Sequence, residues 1–155
     1  MILRLLHPGG AGKGPLGDAA ADYRARLSRR LRAEELYVKA SRQRDRARAL
    51  AEEADRMRAV TRPRDRLVAL VIGERPWSSE DLATRLQRWM GGGYGAVCFL
   101  LGSADGLAPQ LARQAHERWS FGPMTLPHDL ARVVLWEQLY RASTIVHGEP
   151  YHTGH

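Results

Sequence analysis

The sequence has one cysteine, almost no lysine and no long apolar run, and each shortage excludes a class of protein. Cys98 lies alone inside a short apolar stretch, so it excludes an internal disulfide and is interpreted as a small buried hydrophobe. No apolar run approaches the roughly 20 residues that cross a bilayer, and residues 1–6 are too short for a secretory signal. We therefore expect a cytoplasmic protein with no metal site and no membrane contact.

The charge of the chain is one-sided. Lysine and arginine number 24 against 17 acidic residues, a formal net charge of +7, and Lys13 and Lys39 are the only lysines. Arginine forks onto phosphate and stacks on bases, so the surplus favours a polyanionic partner. A compositional preference for arginine explains it as well. The stretch 42–66, with nine arginines, also fits a solvated helix face with pairs such as Glu52–Arg56.

Short apolar runs alternate with amphipathic stretches along the chain. The apolar runs predict strands at residues 2–6, 36–38, 66–72 and 96–101. Helices are predicted at residues 18–31, 45–59, 78–90, after Gly106, and at 127–146, with Ser78 and Asp81 forming a capping box. This order predicts one α/β domain over residues 1–155, with a mainly parallel sheet flanked by helices. The chain is too short for a catalytic domain plus a separate recognition domain.

Two glycine-rich loops follow predicted strands, and neither carries a familiar nucleotide motif. Residues 7–15 lack the phosphate-binding pattern G-x-x-x-x-G-K-[ST], because His7 stands at its first glycine and Gly14 replaces its hydroxyl. Residues 102–106 lack the G-x-G-x-x-G of nicotinamide-binding loops. These differences argue against a nucleoside triphosphatase and against a nicotinamide-dependent enzyme.

The loops at residues 102–106 and 120–125 are nevertheless the best candidates for a binding site. Loops at the carboxyl edge of an open α/β sheet are where ligands usually bind, and Gly102, Ser103 and Gly106 would let main chain come close to one. Phe121 and Leu126 could wall an apolar slot on either side of the bend at 122–123. Taken alone, these residues fit an ordinary loop and a core aromatic equally well.

Four segments in order resemble a known family: Leu101-Gly-Ser-Ala-Asp-Gly-Leu107, Met124-Thr-Leu-Pro-His128, Arg132-Val-Val-Leu-Trp-Glu-Gln-Leu-Tyr-Arg-Ala142 and Pro150-Tyr-His152. They are similar to the ribosomal large subunit pseudouridine methyltransferase H family, small SPOUT-class enzymes that use S-adenosylmethionine. The resemblance is dense from residue 99 to 152, moderate from 67 to 89 and weak before that. It implies methylation of N3 of a pseudouridine in 23S rRNA within the assembled ribosome.

The resemblance also implies roles for individual residues. The family's cofactor contacts fall on two loops and one strand end: Leu70, Gly102, Phe121, Gly122, Pro123, Met124, Thr125 and Leu126. Candidates for handling the N3 proton and the developing anion lie in the last segment: Glu137, Arg141, Tyr151 and His152. An imidazole exchanges protons readily near neutral pH, which suits His152. The Glu137–Arg141 pair also fits a structural lock, and the tail fits simple fraying. His128 is interpreted as a helix-start residue.

Members of the SPOUT class tuck the C-terminal segment through a loop as a trefoil knot and pair as homodimers through it, whereas periodicity alone predicts an open sheet. The final helix carries apolar residues around most of its circumference, which predicts burial on more than one side. Three positions depart from the family pattern: Val71 replaces an acidic residue, Ser103 a second glycine, and Thr153 a basic residue. An RNA- or ribosome-binding protein without turnover, and a relative that methylates a different RNA or a protein, therefore stay open.

Overall fold

A computed structural model of the chain describes residues 1–10 and 12–153. Five strands form one sheet: β1 Ile2–Pro8, β2 Arg32–Val38, β3 Arg66–Leu70, β4 Ala96–Leu100 and β5 Glu117–Trp119. Five α-helices connect or follow them: α1 Pro15–Leu27, α2 Arg46–Ala59, α3 Ser79–Gly91, α4 Pro109–Gln114 and α5 His128–Val146. A short 3₁₀ helix, Pro150–His152, ends the described chain.

The sheet has the order β2-β1-β4-β3-β5, and every strand pair in it is parallel. The predicted α/β class with a mainly parallel sheet is confirmed. The four predicted strands are present, although β2 begins four residues earlier and β3 ends at Leu70. The prediction missed β5, because three residues at a sheet edge carry too short a pattern to be recognised.

Helices cover both faces of the sheet. One core contains side chains of α1, α3 and α5 packed on β1, β3 and β4, and its largest fully buried side chain is Trp136. The other core contains α2 and α4 together with Cys98, whose thiol has a pKa raised to about 12 by burial and by the nearby Asp65 carboxylate. Cys98 is therefore an unreactive core residue, as the sequence predicted.

The final helix lies between two neighbours. All 19 residues of α5 are buried or half-buried, and the helix packs against both α1 and α3. This confirms the burial on more than one side that its apolar circumference predicts. Its first residue, His128, lies near the carboxyl edge of the sheet, since Nδ1 of His128 is 2.9 Å from the carbonyl oxygen of Gly102. The helix therefore starts beside the loops that follow β4 and β5.

Helix ends follow the local chemistry of the sequence. The capping box predicted for α3 is present, since Ser78 Oγ accepts from the Asp81 N–H at 3.0 Å and the Asp81 carboxylate accepts from the Ser78 N–H. Asp45 caps α2 in the same way through the N–H of Arg48. Helix α1 begins at Pro15, three residues earlier than predicted, because proline suits the first position of a helix. Within the described residues, no helix is both long and apolar enough to cross a bilayer.

Candidate functional site

A cavity of about 480 Å³ opens at the carboxyl edge of the sheet. Its lining comes from the loops after β3, β4 and β5 and from the first residues of α2 and α5: Arg46, Leu70, Val71, Ile72, Leu101, Gly102, Ser103, Ala104, Asp105, Gly106, Leu107, Trp119, Phe121, Gly122, Met124, Thr125, Leu126, His128 and Ala131. Both predicted loops therefore face one cavity, and its volume is in the range of nucleoside-sized ligands.

Seven of the eight residues predicted to bind the cofactor line this cavity; Pro123 does not. Pro123 is exposed and follows the bend at Gly122, which has the left-handed φ of +118°. Ser120 stabilises that bend, since its hydroxyl donates to the carbonyl of Gly122 at 2.8 Å and accepts from the Gly122 N–H at 3.1 Å. Pro123 thus shapes the bend from outside the cavity.

Gly102 permits the tightest turn of the site. A Cβ atom at this position would lie 2.1 Å from the carbonyl carbon of Gly106 and 2.5 Å from the N–H nitrogen of Leu107. The turn is closed by the Gly106 N–H, which donates to the carbonyl of Ser103 at 2.8 Å. The sequence predicted close main chain here, and the structure shows that the close partner is the turn itself.

The strand that the sequence did not reveal brings the two loops together. β5 pairs with β3 so that Trp119 lies opposite Leu70, and the N–H of Val71 donates to the carbonyl of Trp119 at 3.0 Å. The loop 120–127 therefore leaves the sheet next to the end of β3. Without β5, nothing in the strand pattern would place Phe121 beside Leu70.

Aromatic rings form a rigid wall behind the second loop. Trp119 stacks on Trp77 with ring centroids 5.1 Å apart and meets Phe121 edge to face at 4.8 Å. Phe99 packs on the far side of Trp119 at 6.2 Å. Interlocked rings of this kind have few alternative packings, so the apolar side of the cavity is held firmly.

The mouth of the cavity is charged. The guanidinium of Arg46 donates to the main-chain carbonyl of Asp105 at 3.1 Å, and its Nε lies 3.6 Å from the Asp105 carboxylate. Both side chains are well exposed, at 70% and 60%. Next to Arg46, the exposed side chains of Arg42, Arg44 and Arg48 have no ion-pair partner among the described residues. The segment 42–48, which reaches the cavity through Arg46, is therefore basic, and we call it the basic rim; the later arginines of α2 are paired with Glu52 and Asp55.

Below the turn lies a buried polar network that the sequence did not indicate. Nδ1 of His128 is 2.9 Å from the Gly102 carbonyl oxygen, and its Nε2 is 2.9 Å from Nδ1 of His7. On the far side, Nε2 of His7 faces the carboxylate of Glu35 at 3.5 Å, too far for a good hydrogen bond. Glu35 also accepts from Arg132 at 2.8 Å and from the indole of Trp136 at 2.6 Å.

Burial and charge set the protonation of this network. Burial alone would raise the pKa of Glu35, but contacts from His7, Trp136 and Tyr37 and the charge of Arg132 outweigh it and lower the pKa to about 2. Burial lowers the pKa of His128, against the opposing effect of its bond to the Gly102 carbonyl. Glu35 is therefore ionised and His128 is neutral at physiological pH.

The predicted catalytic residues form a second group, along the later part of α5. Arg141 Nε donates to Glu137 at 2.9 Å, and the Tyr151 hydroxyl donates to the same carboxylate at 3.1 Å. The Arg141 guanidinium lies 4.9 Å from the Tyr151 ring centroid. Burial and contacts with Tyr23 and Glu137 raise the pKa of Tyr151, so its hydroxyl keeps its proton. We call Glu137, Arg141, Tyr151 and His152 the tail cluster.

His152 follows Tyr151 as the last residue of the 3₁₀ helix. Its Nδ1 is buried and makes no hydrogen bond to any described residue. The neighbouring Thr153 closes the 3₁₀ turn, since both its N–H and its hydroxyl donate to the carbonyl of Pro150. Thr153 thus supplies a turn contact but no charge, whereas Val71 and Ser103, the other departures from the family pattern, line the cavity.

One chain does not bring the two groups together. Glu137 follows His128 by nine positions of α5, which places it roughly 14 Å further along the helix axis and on about the opposite side of the helix. None of the four tail-cluster residues lines the cavity. Reacting groups must approach within about 3–3.5 Å, so the two sites of a single chain do not act on one atom.

Three residues at or behind the cavity were not predicted from the sequence to be part of the site. His128 was interpreted as a helix-start residue, and it is one, but it also lines the cavity and bonds the Gly102 turn. His7 and Glu35 gave no signal, because both fall just outside the predicted strands 2–6 and 36–38, and their contact depends on the register of β1 and β2. Within the described residues, no group of His, Cys, Asp and Glu is arranged to hold a metal ion.

Comparisons with known proteins show the family of the chain. A family model described as a predicted SPOUT methyltransferase matches residues 1–152. Two relatives named ribosomal RNA large subunit methyltransferase H, from Pseudomonas putida and Pseudomonas aeruginosa, are each 43% identical over 108 residues, which cover 70% of this chain and 69% of theirs. A relative of the same name from Ectopseudomonas mendocina is 42% identical over the same length.

Solved structures show the same fold. A probable methyltransferase from Bordetella pertussis superposes with a TM-score of 0.57 and 18% identity, covering 90% of this chain and 95% of that one. A probable methylase family protein from Haemophilus influenzae gives a TM-score of 0.52 with 11% identity, covering 99% of this chain and 70% of that one. At such identities the similarity is one of fold.

Proposed function

Because the chain belongs to the SPOUT methyltransferase family, we propose that it transfers a methyl group from S-adenosylmethionine to N3 of a pseudouridine in 23S rRNA. The site residues fit the cofactor. Gly102 provides a turn so close that a Cβ would collide with main chain, and Leu70, Phe121 and Leu126 provide apolar walls. This cradle in a nucleoside-sized cavity is the observation that carries the proposal. When bound there, the cofactor supplies a methyl group on a positively charged sulfur.

The tail cluster supplies the groups that the acceptor needs. N3 of a pseudouridine carries a proton, and its loss makes the nitrogen nucleophilic. The imidazole of His152 accepts that proton, and the Arg141 guanidinium, held by Glu137, stabilises the negative charge that develops on the base. The Tyr151 ring provides a stacking surface for the base. The proton would pass from N3 to His152, which leaves the electron pair of N3 free to take up the methyl group that the cofactor would release from its sulfur.

A homodimer would bring these two groups together. Within one chain the cavity and the tail cluster lie roughly 14 Å apart along α5, measured from His128 to Glu137. A second copy related by twofold symmetry places the tail cluster of each protomer beside the cavity of its partner, so that each dimer has two complete sites. A knotted α5, as in the SPOUT class, would keep the two groups at fixed positions. In this arrangement a single domain per chain suffices for binding and chemistry.

The basic rim supports an RNA partner. Arg42, Arg44 and Arg48 are exposed and unpaired within the described residues, beside Arg46 at the cavity mouth. Unpaired arginines at the entrance to a site attract phosphates, which would guide the target base to the cavity. An enzyme that modifies rRNA in the assembled ribosome works in the cytoplasm, which agrees with the expectation from sequence.

Two measurements test the proposal. Calorimetric titration of the wild-type chain with S-adenosylmethionine should give one site per chain, and purified ribosomes from a strain that lacks the gene should gain one methyl group on a 23S rRNA pseudouridine, detected by mass spectrometry. Absence of binding by a folded chain contradicts the proposal. Binding without transfer favours an RNA- or ribosome-binding protein, an outcome that the uncharged Val71 and Thr153 make worth testing. Transfer to another RNA would replace the substrate only.

A further inference from the structure

The Gly102 turn, residues 102–106, is anchored by side chains of other elements. The carbonyl of Gly102 is bonded by His128, the first residue of α5, and the carbonyl of Asp105 by Arg46, the first residue of α2. The two anchors differ in burial, because the Arg46 side chain is 70% exposed whereas His128 is half-buried and is itself held from behind. The orientation of the turn therefore depends most on what orients His128.

The donors and acceptors of this chain of contacts are fixed by chemistry. A carbonyl oxygen only accepts, so Nδ1 of His128 carries a hydrogen. A neutral His128 then presents a lone pair at Nε2, which accepts from the N–H at Nδ1 of His7. The same His7 atom lies 3.3 Å from the carbonyl of Pro8, another pure acceptor, which agrees with a hydrogen at that position. The direction of donation thus runs from His7 to His128 to Gly102.

Glu35, on β2, lies behind His7. The His7 side chain is fully buried, and the Glu35 and Arg132 side chains are 2% and 4% exposed. Nε2 of His7 lies 3.5 Å from the Glu35 carboxylate and, with the ring hydrogen at Nδ1, donates no hydrogen bond to it. Glu35 is itself fixed by Arg132, Trp136 and Tyr37, which come from α5 and from its own strand. Buried charges of this kind are expensive to desolvate, so they indicate a specific arrangement that the fold maintains.

We propose that His7 and His128 are positioning residues, which hold the Gly102 turn in the geometry that binds the nucleoside end of the cofactor, with Glu35 packed behind His7. The inference rests on the proposed cofactor site. These residues act through the main chain of the turn, and His7 and Glu35 do not line the cavity. His128 therefore links the turn after β4 to His7 on β1, and the packing of Glu35 against His7 extends this link to β2.

Two amide substitutions of His128 separate positioning from space filling. The amide nitrogen of asparagine reaches the place of Nδ1, so His128→Asn keeps the donor to Gly102, whereas glutamine places its amide near Nε2, so His128→Gln loses that donor. We expect the affinity for S-adenosylmethionine to fall roughly three- to tenfold in His128→Gln and to change less than twofold in His128→Asn. A residue that only filled space would tolerate the larger glutamine better, or both equally.

A second readout needs no cofactor. Hydrogen exchange of the peptide that spans residues 101–107 should be faster in His128→Gln than in wild type and unchanged in His128→Asn. His7→Leu, which removes the donor behind His128, should give an intermediate rate. The matched control is His147, whose Nδ1 lies 2.7 Å from the Ser143 carbonyl at the other end of α5. His147→Asn and His147→Gln should alter neither the affinity nor the exchange of this turn.

The outcomes distinguish this inference from the proposed function. Equal exchange rates in His128→Asn, His128→Gln and wild type would overturn the positioning role, whatever the affinity. Faster exchange in His128→Gln together with a wild-type chain that binds no S-adenosylmethionine would overturn the cofactor role and the proposed function. Faster exchange with weaker binding in His128→Gln alone supports both.

Discussion

The two ends of α5 handle charge in opposite ways. Near its start, Arg132 is buried and pairs across the fold with Glu35 on β2, in contact with His7 on β1. Near its end, Glu137 and Arg141 pair with each other one helical turn apart, and both side chains are partly exposed, at 17% and 19%. The first arrangement joins elements distant in sequence, whereas the second is local to α5 and the tail.

This difference indicates which group is available for chemistry. The side chains of His7, Glu35 and Arg132 are almost fully buried, so they support the fold and have no free surface for a substrate. A local, partly exposed pair can turn toward a substrate at little cost in stability. Substitutions at the start of α5 should therefore lower stability or cofactor affinity, and substitutions at its end should lower turnover.

The largest expected effect is on stability at the buried end. Among the described residues, Glu35→Gln leaves the buried Arg132 charge with only the half-exposed carboxylate of Asp129, 3.6 Å away, so the free energy of unfolding should fall by about 3–5 kcal/mol. Glu137→Gln, the same change at the less buried pair, should lower it by less, by roughly 1–2 kcal/mol, because an amide oxygen still accepts from Arg141 and Tyr151. Urea unfolding followed by circular dichroism measures both. Similar losses in the two variants would remove the distinction between the two ends.

The next effect is on turnover, through the tail cluster. His152→Ala should lower kcat roughly 100-fold, because it removes the proposed proton acceptor, and should leave the affinity for S-adenosylmethionine within twofold. His147→Ala, an exposed histidine after α5, is the control and should behave like wild type. Single-turnover transfer to ribosomes and calorimetry give the two quantities. If affinity and turnover fell together in His152→Ala, His152 would be a support of the cavity.

A smaller effect is expected at the Gly102 turn. Gly102→Ala places a methyl group 2.1 Å from the main chain of Gly106, so the turn must open and the affinity for S-adenosylmethionine should fall at least about tenfold. Gly91→Ala is the control, because no atom lies within 4 Å of a Cβ there. Sedimentation of both variants should show the same assembly state as wild type. Wild-type affinity in Gly102→Ala would exclude the turn from the binding site.

The smallest effect is a dependence on pH. Burial lowers the pKa of His128 below its ordinary value of 6.5, so the folded state resists protonation more than the unfolded chain does. The stability of the wild type should therefore be fully present above about pH 6.5 and should decrease as the pH falls below it. His7, Asp129 and Arg132 face His128 and remain in His128→Asn, which should lose this part of the decrease. Thermal unfolding from pH 8 to pH 5 tests the difference; identical profiles would contradict it.

Much of the fold followed from local patterns in the sequence. The strands 66–70 and 96–100 were predictable because both are continuous apolar runs buried between two layers of helix. The α3 capping box was predictable because its two residues bond within four positions. Strand β5 was not, since Glu117–Trp119 shows no pattern apart from its pairing with β3. Its burial comes from tertiary contacts that a single sequence does not display.

The candidate site divides in the same way. The cavity residues around Gly102 and Phe121 were predictable, because glycines and an aromatic follow apolar runs at the sheet edge and match a family pattern. The Glu137–Arg141 pair was predictable from its spacing of four. The link from Glu35 through His7 to His128 was not, because it joins residues 28 and 121 positions apart that meet only when β1, β2 and α5 are assembled.

The three residues of β5 impose a strict requirement on the length of the chain before them. Side chains alternate between the faces of a strand, so inserting or deleting one residue between Gln114 and Glu117 would turn Trp119 to the other face. The aromatic stack with Trp77 would be lost, and the loop carrying Phe121 would leave from the wrong side of the sheet. Related chains can therefore differ in the amino acids of this short segment more freely than in its length.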